Sequence, residues 1–424
     1  MRLADRKRPL PRAVGRAALA AGGLVAALLA FEIVVRVFFP ISDFLWDWDP
    51  VIGMKLKPGR RGRSVLPGVY DVVVEVNSEG FRDREHAVAK PPGTKRVVLL
   101  GDSFLEAVQV PFRDSVAAVL ERDLAARGIP AEVLSFGVSG AGTVREYLAL
   151  REYGLRYAPD AVVLLFVEND VSDNSQRLQG ATFMPYARLD DQGRLLRDAR
   201  GRPVFTAFDE RRTSSGLRAY LSDRLVSLRF VRTRIEESPW LNELLYRLGL
   251  MADPPRAFTV HDDDEYGFFE IYRPTPRSGW IEAWSMTEQM LLETRDLASS
   301  AGARFGVALL PGHWSVDPAK WDELCSAVPG MRSAGLDLHL PSRRLEGFLG
   351  DHGIPTANLF SAFEVRASRE PPLYLRGDSH WTPAGHALAA ERITLLVAEL
   401  LSPPDRLPTD EDPRHGTKSG LPLP

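Results

Sequence analysis

The sequence predicts an α/β fold: a parallel sheet covered by helices, preceded by an apolar amino-terminal segment and interrupted by one large insertion. Three observations carry that prediction. Short aliphatic and β-branched runs at 97–100, 131–136, 161–167 and 303–310 alternate with stretches of helical periodicity. Continuous apolar runs of this length suit buried strands, and their alternation with helices favours parallel pairing. At the amino end, Arg2, Arg6, Lys7, Arg8, Arg12 and Arg16 precede an apolar run over 17–31, which continues through Ile33, Val34, Val35, Val37, Phe38 and Phe39.

Length and charge asymmetry of that first segment fit one transmembrane helix over 17–39, with a basic cytoplasmic segment 1–16 and the rest of the chain outside. Trp46 and Trp48, set among Asp43, Asp47 and Asp49, read as interfacial tryptophans on the far side. Glu32 and Arg36 stand four apart on one helix face, and pairing lessens the cost of both in lipid. A cleaved signal peptide is the rival reading, although no small-x-small site follows the apolar run. A buried amphipathic helix is the third.

Residues 40–95 read as a juxtamembrane module, with a strand over 70–76, a turn at Asn77, Ser78, Glu79 and Gly80, and a linker at Lys90, Pro91, Pro92 and Gly93. The main domain is expected over 96–402. Asp114 is expected to cap a helix that puts Val116, Val119, Leu120 and Leu124 on one face, closed by Gly128. The strand 131–136 runs into a glycine-rich turn, and Thr143 with Glu146 has the spacing of a capping box.

The alternation breaks over about 176–277. This insertion holds an amphipathic stretch (217–250) and the acidic run His261, Asp262, Asp263, Asp264, Glu265, read as solvated surface; the insertion as a whole reads as a cover for the site. Helices at 280–300 and 342–349 and a short segment at 356–360 follow. The last helix is expected to begin with Thr382 as cap and Pro383 in its first turn. The Pro-, Asp- and Gly-rich tail 403–424 is expected to be disordered.

The 424 residues are 45% hydrophobic and 26% charged, with a net charge of −3, a balance that gives no case for nucleic-acid binding. One cysteine, Cys325, excludes an internal disulfide framework and reads as a small buried residue. His339 and His352 lack metal-ligand spacing, so neither a metal nor another cofactor is expected.

Gly101-Asp102-Ser103 stands immediately after the first strand of the main domain, at the edge where open α/β sheets place their chemistry. A serine hydroxyl needs a neighbour to take its proton, and an imidazole oriented by a carboxylate does so near neutral pH. Asp378 and His380 supply both from one turn. A developing oxyanion needs donors. The Ser103 N–H, Gly140 and the side-chain amide of Asn169 are the candidates, each following a strand. Asp102 reads as structural, Gly137 as a turn residue or alternative oxyanion donor, and His386 as packed or solvent-facing, while lining the site is the minor reading of His313.

Four blocks stand in order: Gly101-Asp102-Ser103, Ser139-Gly140, Asn169-Asp170 and Asp378-Ser379-His380. In these the chain resembles the SGNH/GDSL hydrolase family. An Asn-Ser-x-Gly-Phe-Arg segment, Asn77 to Arg82, is similar to one in a membrane-anchored bacterial branch of that family. The resemblance implies a three-layer α/β/α sandwich of SGNH/flavodoxin-like type and the hydrolysis or transfer of acyl esters. It implies Ser103 as nucleophile, Gly140 and Asn169 completing the oxyanion hole, and His380 as base. Asp378 precedes His380 by two residues where the family's usual offset is three, and Val167 stands where the third block usually has glycine.

The expected function is therefore an extracytoplasmic serine esterase, with an acylated (O-acetyl) glycan or small ester as substrate and the membrane as its other partner. A polysaccharide O-acetyltransferase would use the same residues. A non-catalytic glycan-binding envelope protein is the third reading, with Trp280, Trp284, Trp314 and Trp381 as stacking residues.

Overall fold

The computed structural model describes residues 12–181, 183–208, 221, 224–236, 238–248 and 266–402. The acidic run at 261–265, the tail 403–424 and the basic residues before Arg12 lie outside the described residues. The helices are α1 (Arg12–Phe38), α2 (Ser103–Glu106), α3 (Val116–Ala126), α4 (Thr143–Ala149), α5 (Asn169–Asp173), α6 (Gln176–Gln179), α7 (Val226–Glu236), α8 (Pro239–Arg247), α9 (Ser278–Ser300), α10 (His313–Val316), α11 (Pro318–Ala327), α12 (Leu340–Asp351), α13 (Phe360–Ala367) and α14 (Pro383–Leu401).

Two hairpins precede the main sheet: β1 (Trp46–Asp49) with β2 (Gly53–Leu56), and β3 (Arg61–Leu66) with β4 (Tyr70–Glu75). The main sheet has five parallel strands, β5 (Lys95–Gly101), β6 (Ala131–Gly137), β7 (Ala161–Phe166), β8 (Arg304–Leu309) and β9 (Thr356–Asn358), in the order β6-β5-β7-β8-β9. Val97 registers with Val133 on one side and Ala161 on the other, which makes β5 a central strand.

Alternation along the strands splits the core in two. Val98, Leu100, Leu134, Phe136, Val162 and Leu164 pack with Val144 and Leu148 of α4 and with Trp280, Trp284, Met290 and Leu291 of α9. Val97, Leu99, Val133, Val163 and Leu165 face Val116, Leu120 and Leu124 of α3 and Ile393 and Val397 of α14. Both sheet faces are thus covered, giving a three-layer α/β/α sandwich. Trp280, Trp284 and Trp381 are core residues and not free for stacking on a sugar.

Helix α1 contains one apolar stretch, Val14–Phe38, with mean hydropathy 2.3 and nearly all of it exposed, long enough to cross a bilayer. Arg36 Nε donates to Glu32 Oε1 at 2.6 Å, the expected i,i+4 pair. Trp46 and Trp48 are not exposed at the end of α1. Trp46 Nε1 donates to Glu106 Oε2 (3.3 Å), and Trp48 packs on Phe208. Hairpin β1–β2 turns their rings toward the main domain.

Three local expectations are corrected. Asp114 closes a 3-10 turn, and Ser115 is the cap of α3, its Oγ accepting from Ala118 N. Thr143 lies inside α4, whose cap is Gly142; the Thr143 hydroxyl accepts from Asn174 Nδ2 (2.7 Å) instead. Cys325 is partly exposed on α11 and not a core residue.

The expected linker is strapped down. The buried Arg96 guanidinium donates to the carbonyls of Ala87, Val88, Ala89 and Tyr157 and to Glu132, while Lys90 Nζ meets Asp160 at 2.7 Å. In the insertion, antiparallel bridges join Ala187 to Phe205, Leu189 to Leu195 and Arg197 to Pro203, and Leu195 N donates to Gln289 of α9. Its described hydrogen bonds include those to the core helices, to α1, to Asp43 and to Glu168; among the described residues none reaches Ser103 or His380.

Candidate active site

Strand β5 ends at Gly101, and Asp102 caps the single turn of α2, its Oδ1 accepting from Phe104 N at 2.9 Å. This cap puts Ser103 at the first helical position, half-buried at the carboxyl edge of the sheet. The turn closes at Ala107, whose φ of 53° is left-handed and uncommon for a residue with a side chain. Arg82 holds that shape, its buried guanidinium donating to the carbonyls of Glu106 (3.2 Å), Ala107 and Val110. Asn77 Oδ1 in turn accepts from Phe81 N (2.9 Å) and fixes the loop that delivers Arg82. Beneath α2, a Cβ on Gly137 would stand 2.3 Å from Glu106 N, so only glycine lets the turn rest on the end of β6. Gly137 is thus a packing residue.

His380 is presented by the turn that a Tyr374–Trp381 bridge closes, just before α14. Trp381, fully buried, packs edge-on against Phe104 (4.9 Å between centroids), tying the base's turn to the helix of the nucleophile. Thr382 caps α14, accepting from Gly385 N at 3.3 Å. Asp378 Oδ1 accepts from both the main-chain N (2.9 Å) and the ring Nδ1 of His380. The two-residue offset therefore lets one carboxylate oxygen serve both groups within the turn. Tyr70, on β4, stands beside Asp378 and favours the charged form of that carboxylate. With Nδ1–H directed to Asp378, His380 Nε2 is left as acceptor, 2.8 Å from Ser103 Oγ.

Ser103, Gly140 and Asn169 follow the ends of the adjacent strands β5, β6 and β7. Gly140 is exposed in a left-handed turn (φ 65°), and its carbonyl accepts from Arg145 Nη1 at 2.7 Å. Asn169 Nδ2 donates to Asp102 Oδ2 (3.1 Å) and Asp173 Oδ2 (2.9 Å). A carbonyl oxygen arriving beside Ser103 would compete with those carboxylates for the amide. His386, by contrast, is buried and accepts from Val116 N through Nδ1, its pKa pushed down to about 3 by burial. His313 stacks on Tyr374 and pairs with Asp317. Trp314 Nε1 donates to Tyr272. Among the described residues no His, Cys, Asp and Glu cluster has the arrangement to hold a metal.

Residues 306–414, which include most of β8, and β9, the Asp378–His380 turn and α14, match the family model described as SGNH hydrolase-like domain, acetyltransferase AlgX. That match spans about a quarter of the chain and is what its carboxyl-terminal part is similar to. Solved structures similar to the chain include a putative lipolytic protein of the G-D-S-L family from Desulfitobacterium hafniense (11% identity, 71% of this chain and 99% of that one, TM-score 0.34). A lipase/acylhydrolase from Enterococcus faecalis (17%, 74% and 100%, 0.34) and the acetyl xylan esterase AlAXEase (11%, 71% and 99%, 0.33) are others. No curated protein matches the chain.

Burial pulls the His380 imidazole down, but the hydrogen bond and charge of Asp378, with the charges of Asp102 and Glu106, outweigh it and leave the pKa raised. Asp378 is lowered: burial opposes its charge, and the bonds from His380, with Tyr70 beside it, more than compensate. Behind Ser103 and Asn169 lies a layer of buried carboxylates. Burial raises Asp102, Glu106, Glu146 and Asp170, with Asp102 and Asp173 adding repulsion on Glu146 and Asp170. Asp173 is pushed up to about 7 by burial, against the bonds from Asn169 and Gln179. The fully buried Arg145 threads this layer, donating to the carbonyls of Ile52, Gly140 and Met54.

Sequence reasoning missed Tyr70, Glu106 and Arg145. It met Arg82 only as part of a resemblance, with no physical role. Tyr70 carries no local signal, because its contact with Asp378 spans about 300 residues. For Glu106 a weak signal existed: a carboxylate three residues after the serine, followed by the apolar segment Ala107-Val108, implies burial and a partner.

Proposed function

We propose that the chain is a serine-dependent acyl-ester enzyme, held at a membrane by α1 with its SGNH domain outside the cytoplasm. The observation that carries this reading is the relay from Asp378 through His380 to Ser103, with Nε2 2.8 Å from Oγ. Ser103 Oγ attacks the ester carbonyl carbon as its proton passes to His380 Nε2. The carbonyl oxygen becomes an oxyanion facing the N–H groups of Ser103 and Gly140 and the Asn169 amide. The C–O bond of the ester breaks, and His380 returns the proton to the leaving alcohol. Water then attacks the acyl-serine by the same route and frees the acid. O-acetyl groups on a glycan, or a small ester, are the proposed substrates.

A second reading is favoured by the acetyltransferase description of the family model over 306–414. There, a sugar hydroxyl replaces water as acceptor. The test is hydrolysis of p-nitrophenyl acetate by the full-length protein in detergent, beside Ser103→Ala and His380→Ala, followed by the same donor with added glycans. Turnover lost in both variants is expected; a folded Ser103→Ala protein with unchanged turnover overturns the mechanism. Acetyl groups appearing on the glycan select the transferase.

A further inference from the structure

Helix α7 is docked on the carboxyl end of α1. Glu32, within α1, accepts from both Val226 N and Ser227 N at 2.9 Å, satisfying two first-turn donors of α7. Arg36 Nη2 donates to the Arg224 carbonyl at 2.6 Å. Phe230 lies between Phe31 and Phe39, at centroid distances of 6.4 and 4.9 Å, and Arg229 meets Asp43 at 3.0 Å.

The place of this joint along α1 matters. Residues 14–31 rise about 27 Å as a helix, close to the roughly 30 Å of a hydrocarbon core. With that stretch in lipid, Glu32 to Phe39 stands at headgroup depth, and α7 lies beside it. α8 then presents Trp240, Leu244 and Leu248, each four residues from the next and so on one helix face, exposed by 70%, 43% and 61%. Leu228 and Val231 on α7 are exposed as well, as are the α1 residues Ile33, Val37 and Phe38 next to the joint. The same two helices carry the exposed Arg232, Arg234 and Arg247.

We propose that α7 and α8 lie in the plane of the bilayer interface, with Trp240, Leu244 and Leu248 set among the acyl chains and the arginines at the phosphates. An apolar face with a tryptophan, edged by arginine and fixed to the end of a spanning helix, is what lipid at that depth recognises. Leu228 and Val231 are exposed on the helix that is itself docked on the end of α1, so the bilayer that covers α1 is the occupant. This inference depends on α1 spanning a membrane, and on nothing about Ser103.

The test reconstitutes the full-length chain and its Trp240→Phe variant in phosphatidylcholine/phosphatidylglycerol vesicles. The wild-type-minus-variant fluorescence isolates Trp240. That difference is expected to be blue-shifted, lost when the acyl chains are brominated, and untouched by aqueous iodide. A difference signal quenched by iodide and insensitive to bromine overturns the proposal. Protection from both quenchers, with copies cross-linking through α8, assigns the face to a second chain and overturns it too. Neither readout uses catalysis, so failure here leaves the proposed chemistry standing.

Discussion

Replacing Gly137 with alanine should disable the nucleophile without touching any reacting group. The added Cβ would meet Glu106 N at 2.3 Å, Leu105 C at 2.7 Å and Glu106 Cα at 2.8 Å. All three are backbone atoms, so no side-chain rotation relieves the overlap. Reaching ordinary contact, which begins at 3.4 Å, requires α2 to retreat by about 1 Å. Ser103 rides on α2, and its 2.8 Å contact with His380 would lengthen past hydrogen-bonding range. A displacement of about 1 Å costs on the order of 100-fold in kcat. Overpacking adds about 1–3 kcal/mol of destabilisation, which a domain of this size survives. The assay is kcat for p-nitrophenyl acetate together with the labelling rate by a fluorophosphonate, in protein shown folded by near-UV circular dichroism. A folded Gly137→Ala variant with wild-type kcat and labelling would refute the packing argument.

Other predictions concern charge. Because His380 acts as a base only when neutral and its pKa is raised, kcat/KM should fall with decreasing pH through a midpoint above the ordinary imidazole value of about 6.5. Asp378→Asn should move that midpoint down and slow turnover by about 10²- to 10⁴-fold; an unmoved midpoint counts against the pairing. Tyr70→Phe removes a hydroxyl that favours the charged form of Asp378; at about 1 kcal/mol, kcat should drop about fivefold with KM unchanged, read from steady-state kinetics. Glu168 and Asp173 are both pushed up to about 7. Raised carboxyl groups stabilise the fold most below their ordinary pKa, and that contribution is lost as pH rises to about 7. The Tm of Glu168→Gln minus that of wild type should therefore grow between pH 5 and 8, and a flat difference would contradict the assignment.

The sheet was legible because its strands are buried on both faces, which leaves uninterrupted apolar runs such as 161–167. Ser103, Gly140 and Asn169 were legible for a related reason: each directly follows such a run, and parallel strands gather their carboxyl ends along one edge. What escaped depends on distance along the chain or on competition between caps. Tyr70 reaches Asp378 only because hairpin β3–β4 folds back on the domain. Thr143 has capping spacing, but Gly142 starts the helix and frees the hydroxyl to meet Asn174. Trp46 matched an interfacial belt by position, yet the carboxylate of Glu106 offered its indole N–H a buried partner. The docking of α7 on Glu32 was hidden because a charge in an apolar helix reads first as half of a local ion pair.

Arg96 fastens the segment 87–89 to the root of β5, and Arg82 fastens the preceding turn to the helix that bears Ser103. No slack chain therefore separates the membrane-proximal hairpins from the site. On the proposed membrane-anchored reading, the site is carried close above the lipid and moves with it in two dimensions, so acyl groups farther out would have to be brought down to it. Lengthening the chain at Gly93 would not extend this reach unless the Arg96 clasp were also opened.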